Sequence, residues 1–232
     1  MNALVFDFDG VVFDTESPEL QSYEELYRLY DVEFPVETWI PSVGGEVVFN
    51  AYQYLQDAVE RPLNIDSLRR WRRARHWDLV FEQPLCPGVL EYLNEAQTMG
   101  LRIGLASSSK AEWVLPLLRR DRLERRFETI ITADRVEQVK PDPALYRIAL
   151  DELGVHPSRS LAIEDSVNGL RAAKAAEMSC LVVPNPVTER LSWPRELEDL
   201  RLSSLTEMTL QEVLAILEKK QYNGENYDDP RH

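Results

Sequence analysis

The chain has 232 residues, enough to bury a substantial core in one or two domains, and its 44% hydrophobic and 28% charged content is that of an ordinary globular protein. A net charge of -14 argues against nucleic-acid backbones and anionic membranes as bulk partners. No apolar run is long enough to span a bilayer and no basic region precedes an apolar one at the N-terminus, so a cytoplasmic location is expected.

The first element, "ALVFDFD" (Ala3–Asp9), reads as a buried strand that carries Asp7 and Asp9 at its end. Two residues apart, they leave the same face of a strand. Ionised carboxylates there are costly unless a cation or dense hydrogen bonding offsets them. Gly10 then lets the chain turn. Asp14 and Thr15 lead into the next region and suit a hinge or a helix cap, while the role of Glu16 stays open.

About ninety residues separate this strand from the next, far more than one crossover helix needs. Three stretches inside the interval are helical in pattern: "SPELQSYEELYRLYDV", "EVVFNAYQYLQDAV" and "DSLRRWRRARHWDLVFEQ". Residues 16–82 therefore read as an inserted helical cap domain, its tyrosines and tryptophans forming the cap's own core. Arg69, Arg72, Arg73 and His76 share one helical face, which reads as solvated, with one arginine able to meet an anionic substrate. "PLCPGV" marks the return to the main domain. Cys86, within it, and Cys180 fit no zinc or thioredoxin spacing and read as buried free thiols.

Four more apolar runs follow, mostly separated by helical patterns: "LRIGLAS" (Leu101–Ser107), "TIIT" (Thr129–Thr132), "SLAIED" (Ser160–Asp165) and "LVVP" (Leu181–Pro184). Such alternation predicts an α/β fold with a Rossmann-like parallel sheet covered on both faces. The core is discontinuous, residues 1–15 and 83–218, and the polar, aperiodic residues 219–232 read as a flexible tail.

In a parallel sheet every strand's C-terminal end falls on one edge, where ligands bind. The second strand ends in "ASSSK": Ser109 with Glu112 fits a capping box, leaving Ser107 to face a ligand. In "VKPDP" the proline holds Lys140 in extended chain, and Asp142 and Pro143 suit the N-cap and first position of a helix. The fourth strand ends in Glu164 and Asp165, with Gly169 allowing the next helix to pack closely. Four carboxylates around one lysine imply a bound divalent cation, and an all-oxygen donor set with room for water and phosphate favours Mg²⁺. A hydroxyl and an ammonium beside it suit a phosphate group, which points to phosphoryl transfer.

"DFDGVVFDTE", "LASSS", "VKPDP" and "IEDSVNG" together resemble the four motifs of the haloacid dehalogenase superfamily, in the capped branch of β-phosphoglucomutase-like phosphatases. The resemblance implies that Asp7 is the nucleophile of an aspartyl-phosphate mechanism and that Asp9 is general acid, then base. It implies that Ser107, Ser108 and Lys140 hold the phosphoryl group. Asp7, Asp9 (through its carbonyl), Asp165 and Glu164, directly or through water, would hold Mg²⁺. All five lysines lie at position 110 or later, so the cap lacks the lysine that a phosphonate hydrolase of the superfamily needs. Dehalogenases lack an aspartate at the position of Asp9. The mutase's cap histidine corresponds to Glu19, which favours water as acceptor. The expected activity is Mg²⁺-dependent hydrolysis of a small-molecule phosphate ester, such as a sugar phosphate or phosphoglycolate, with the mutase and a silent regulatory or scaffold protein as alternatives. Candidate leaving-group contacts are Glu19, Tyr23, Arg72, His76 and Gly45 in the Gly44–Gly45–Glu46 turn. The oligomeric state is not legible.

Overall fold

The computed structural model describes residues 1–44 and 48–225. Its sheet is built from β1 (Ala3–Phe6), β2 (Arg102–Ala106), β3 (Thr129–Ile131), β4 (Ser160–Glu164), β5 (Ser179–Val182) and β6 (Leu200–Arg201). All pair in parallel, in the order β3-β2-β1-β4-β5-β6. β1 is central and its four residues are fully buried, so no position on it is polar. Its side chains alternate between the two faces: Leu4 and Phe6 join one apolar cluster, Ala3 and Val5 the other.

Helices α5 (Val89–Thr98), α6 (Ala111–Arg120) and α9 (Leu210–Glu225) cover the first face, and α7 (Ala144–Leu153) and α8 (Val167–Ala175) the second. The last helix runs to Glu225, past residue 219 where the sequence places the start of the tail. β6 has no counterpart among the sequence-predicted strands; two residues are too few for any periodicity to register. Cys180 is buried as expected, whereas Cys86 is half-buried, with burial pushing its thiol up to about 12.

The interval between β1 and β2 is helical: α1 (Glu16–Arg28), the single turn α2 (Val36–Trp39), α3 (Ala51–Ala58) and α4 (Ile65–Glu82). Leu26, Tyr27, Phe34, Trp39 and Leu55 form an apolar centre of their own, completed by Val187 and Leu191 from beyond β5. These helices therefore pack around one apolar cluster that also takes in residues of the chain beyond β5. Asp14 Oδ1 accepts a hydrogen bond from the Ser17 amide at 3.0 Å, which caps the first turn of α1. Gly45 and Glu46 of the predicted turn lie outside the described residues. Among the described residues, no helix is long and apolar enough to cross a membrane.

Candidate active site

β1 stops at Phe6, but the Asp7 amide continues the ladder by donating to the Ile163 carbonyl at 2.9 Å, so Asp7 emerges at the sheet edge in extended chain. Gly10 follows at φ +76°, and a Cβ there would lie 2.0 Å from Asp165 Oδ2. A side chain at position 10 would therefore displace a carboxylate of the site itself. Gly169 plays the same part for Glu164: its missing Cβ would sit 1.8 Å from Oε2. The Ser166 hydroxyl accepts from the Gly169 amide at 3.0 Å and caps α8, which frees Glu164 and Asp165 from that duty.

Lys140 is 7% exposed and its three N–H donors are all engaged: Asp7 Oδ1 at 2.5 Å, the Ala106 carbonyl at 2.7 Å and Glu164 Oε1 at 2.7 Å. It anchors the carboxylates, and a ligand would have to exchange for one of these bonds. Glu164, fully buried, also accepts from the Tyr146 hydroxyl. On the far side, Asn185 Nδ2 donates to Asp165 Oδ2 at 2.8 Å. The Asn185 orientation is fixed because its Oδ1 accepts from the Val187 and Thr188 amides, both at 2.9 Å.

The carboxylates of Asp7, Glu164 and Asp165 each bring an oxygen to within 4.8 Å of the others. Burial, reinforced by Glu164 and Asp9 and only partly countered by Lys140, pushes Asp7 up to about 8. Burial and the neighbouring Asp7 and Glu16 likewise hold Asp165 well above the carboxylate range. Burial alone would lower Lys140, yet Asp7 and Glu164 hold its ammonium above the ordinary lysine value. Lys140 bridges Asp7 and Glu164 but makes no bond to Asp165, and the raised Asp7 and Asp165 show that one ammonium does not suffice to hold all three carboxylates ionised. An all-oxygen set with this charge fits a hard divalent cation.

A cleft of about 460 Å³ opens over this edge, lined on the sheet side by Asp7, Asp9, Lys140 and Asp165 and on the cap side by Glu16, Glu19 and His76. Asp9 does not face Asp7's partners. Its Oδ2 accepts from the Ser109 hydroxyl at 2.6 Å and the Ser107 hydroxyl at 3.3 Å, and its Oδ1 from Trp113 Nε1 at 2.8 Å. His76 Nε2 lies 3.0 Å from the Thr15 carbonyl, and burial lowers its basicity.

Several sequence-predicted residues therefore fall elsewhere than expected. Ser107 is fully buried behind Asp9; Ser108 and Ser109 form the serine wall of the cleft. Ser109 is no helix cap, because Asp134 Oδ2 takes the Ala111 amide at 2.7 Å and Lys110 holds the N-cap position. Pro143, rather than Asp142, is the N-cap of α7, although Asp142 Oδ1 still accepts the Ala144 amide at 2.8 Å. Tyr23 stacks on Phe34, 5.0 Å between centroids, inside the cap core. The Arg69–His76 face is not uniformly solvated: Arg72 lies partly buried over the Tyr23 ring and donates to Glu19 Oε1 at 3.1 Å. Glu19 and His76 do line the cleft. Trp113, Tyr146 and Asn185 escaped sequence reasoning. Asn185 lies three residues past β5, where the strand-end rule could have found it.

A model of the haloacid dehalogenase-like hydrolase family matches residues 4–183. The chain belongs to this family. Hexitol phosphatase B of Escherichia coli (strain K12) is 34% identical over 217 residues, 91% of this chain and 96% of that protein. The YhcW protein of Bacillus subtilis (strain 168) is 43% identical over 214 residues, 92% of this chain and 96% of its own length. Among solved structures, CbbY from Rhodobacter sphaeroides in complex with phosphate superposes with a TM-score of 0.68 at 30% identity, covering 89% of this chain and 96% of that one. With named phosphatases matched over nearly their whole length, the chain is a phosphatase of the family, and its buried acidic cluster fits the divalent metal that the family's hydrolases use.

Proposed function

We propose that the enzyme is a Mg²⁺-dependent phosphatase that hydrolyses a small-molecule phosphate monoester through an aspartyl-phosphate on Asp7. The observation that carries this reading is the pairing of two carboxylates in unlike surroundings on one side of the cleft. Asp7 sits among Lys140, Glu164 and Asp165, and Asp9 is held by hydroxyl and indole donors. In the first step an Asp7 oxygen attacks phosphorus, the ester P–O bond breaks, and the leaving oxygen takes its electron pair together with a proton from Asp9. Asp9, now a base, takes a proton from water as that water attacks the phosphoaspartate and frees phosphate and Asp7.

Lys140 offsets the charge of Asp7 and, on exchanging one of its present bonds, would hold a phosphoryl oxygen together with Ser108 of the cleft wall, whereas Ser107, fully buried, would act through Asp9 and the Ser109 amide. Asp7, Asp165, the Asp9 carbonyl and Glu164, directly or through water, would hold Mg²⁺, which when bound neutralises charge gathering on the phosphoryl group. The chemistry belongs to the core of residues 1–15 and 83–218, and the cap of residues 16–82 selects the leaving group.

The cap wall favours a hydroxyl-rich leaving group. Glu16 and Glu19 line it, and the nearby Arg72 is already paired with Glu19, so this wall offers a glycolate carboxylate no unpaired arginine. A sugar or sugar-alcohol phosphate is the substrate class supported, in keeping with the hexitol phosphatase among the relatives. The test is phosphate release from a panel of sugar, sugar-alcohol and glycolate phosphates, with Mg²⁺ and after EDTA. Turnover that is lost with EDTA and restored by Mg²⁺ is expected. Turnover of no ester would overturn the reading, and conversion of β-glucose 1-phosphate to the 6-phosphate would make the enzyme a mutase instead.

A further inference from the structure

We propose that Trp113 is a positioning residue for the first phosphoryl transfer, fixing through its indole N–H which oxygen of Asp9 carries the proton delivered to the leaving group. The inference rests on the reading of Asp9 as general acid. An indole nitrogen donates and cannot accept, so the bond from Trp113 Nε1 to Asp9 Oδ1 at 2.8 Å requires Oδ1 to be an acceptor in every protonation state. The transferable proton must then reside on Oδ2. The partners of Oδ2 are hydroxyls, Ser109 at 2.6 Å and Ser107 at 3.3 Å, and a hydroxyl can reverse its sense. Ser107 is the less free of the two, since its oxygen already accepts the Ser109 amide at 2.9 Å.

The indole is itself clamped. Its ring lies 5.1 Å from the His76 ring and 5.2 Å from Trp77, both on cap helix α4, while its backbone belongs to the first turn of α6 in the sheet domain. Trp113 therefore spans the two domains at the height of the cleft, and it is part of the cleft wall. A carboxylic acid free to rotate would present its proton on either oxygen; the indole removes that choice in advance.

A leaving group that needs no proton separates positioning from mere packing. The kcat/KM of a sugar-alcohol phosphate, whose alkoxide must be protonated, is compared with that of 4-nitrophenyl phosphate, whose phenolate need not be. This constant reports steps up to the first transfer. In Asp9→Asn the alkyl-to-aryl ratio is expected to fall by about a hundredfold or more, the range of a lost general acid. In Trp113→Phe, which keeps an aromatic plate and loses the donor, the same ratio should fall by about tenfold, a fraction of the Asp9 effect. Thermal melting of each variant checks the fold. Should Trp113→Phe not fold, replacement of Trp113 by benzothienylalanine removes the N–H within the same bicyclic outline.

An alkyl-to-aryl ratio unchanged from wild type at position 113, alongside a collapsed ratio in Asp9→Asn, would overturn the role of Trp113 and leave Asp9 as general acid. An unchanged ratio in Asp9→Asn would overturn the reading on which the proposal stands, and the proposal with it.

Discussion

On the sheet side of the cleft, Asp7, Lys140, Glu164 and Asp165 are each less than a tenth exposed, and each is fixed by bonds to the sheet edge or to its neighbours. On the cap side, Glu16, Glu19 and His76 are only partly buried and stand on helices whose apolar faces pack among themselves. The sheet residues lie on or within two residues of a strand end, apart from Lys140, so the backbone ladder sets their places. The cap residues are placed by helix packing and by the passage through Asp14 and Thr15. On the proposed reading the reaction chemistry and the leaving-group choice fall on different walls, which meet where Trp113, bonded to Asp9, packs against His76 and Trp77 of the cap helix.

Lys140→Ala should strike the first wall hardest. It leaves Asp7 and Glu164 buried without their shared cation, with an expected loss of about 3–5 kcal/mol in stability and roughly 10²–10³-fold in kcat. Denaturant melts and phosphate release check both, and a variant of wild-type stability would break the account of that wall. Gly169→Ala is a subtler strike at the same wall. Alanine alone would favour α8 by about 1 kcal/mol, yet the clash with Glu164 should turn this into a net loss of about 1–3 kcal/mol. A stabilised variant in the same melts would show that Glu164 is not held as described.

Glu19→Gln addresses the second wall. The kcat/KM ratio between a sugar-alcohol phosphate and phosphoglycolate should shift by about tenfold toward the latter, with the 4-nitrophenyl phosphate rate reporting whether the chemistry moved. Equal loss on all three esters would mean that the two walls are not separable.

The smallest expected effect is in pH dependence. Asp7 rises from 3.8 toward about 8 in the fold, so the metal-free native state binds more protons than the unfolded chain across that interval. Its stabilising contribution is complete below pH 3.8 and is lost as pH rises through about 8. EDTA-treated protein should melt a few degrees lower at pH 8 than at pH 5, with Mg²⁺ closing the gap and Asp7→Asn reducing it. Melting scans at the two pH values decide this.

The sheet wall was the more legible half, because a strand end is a local signal: Asp7, Glu164 and Asp165 each close an apolar run. Lys140 was found through the proline beside it. What failed to show depends on partners remote in sequence. Ser109 fits a capping box with Glu112, and nothing local reveals that Asp134 supplies the Ala111 cap instead. Arg72 projects with Arg69 on a helix wheel, while the carboxylate it pairs with is 53 residues away. Trp113 looks like any amphipathic helix residue until the tertiary fold sets its N–H on Asp9.

The central claim is that phosphate release passes through Asp7. Its most direct test is Mg²⁺-dependent hydrolysis of one good ester by wild type and by Asp7→Asn, with equal folding checked by circular dichroism. The account predicts a fall of at least about 10³-fold in kcat for the variant. An Asp7→Asn enzyme that releases phosphate at the wild-type rate would contradict it.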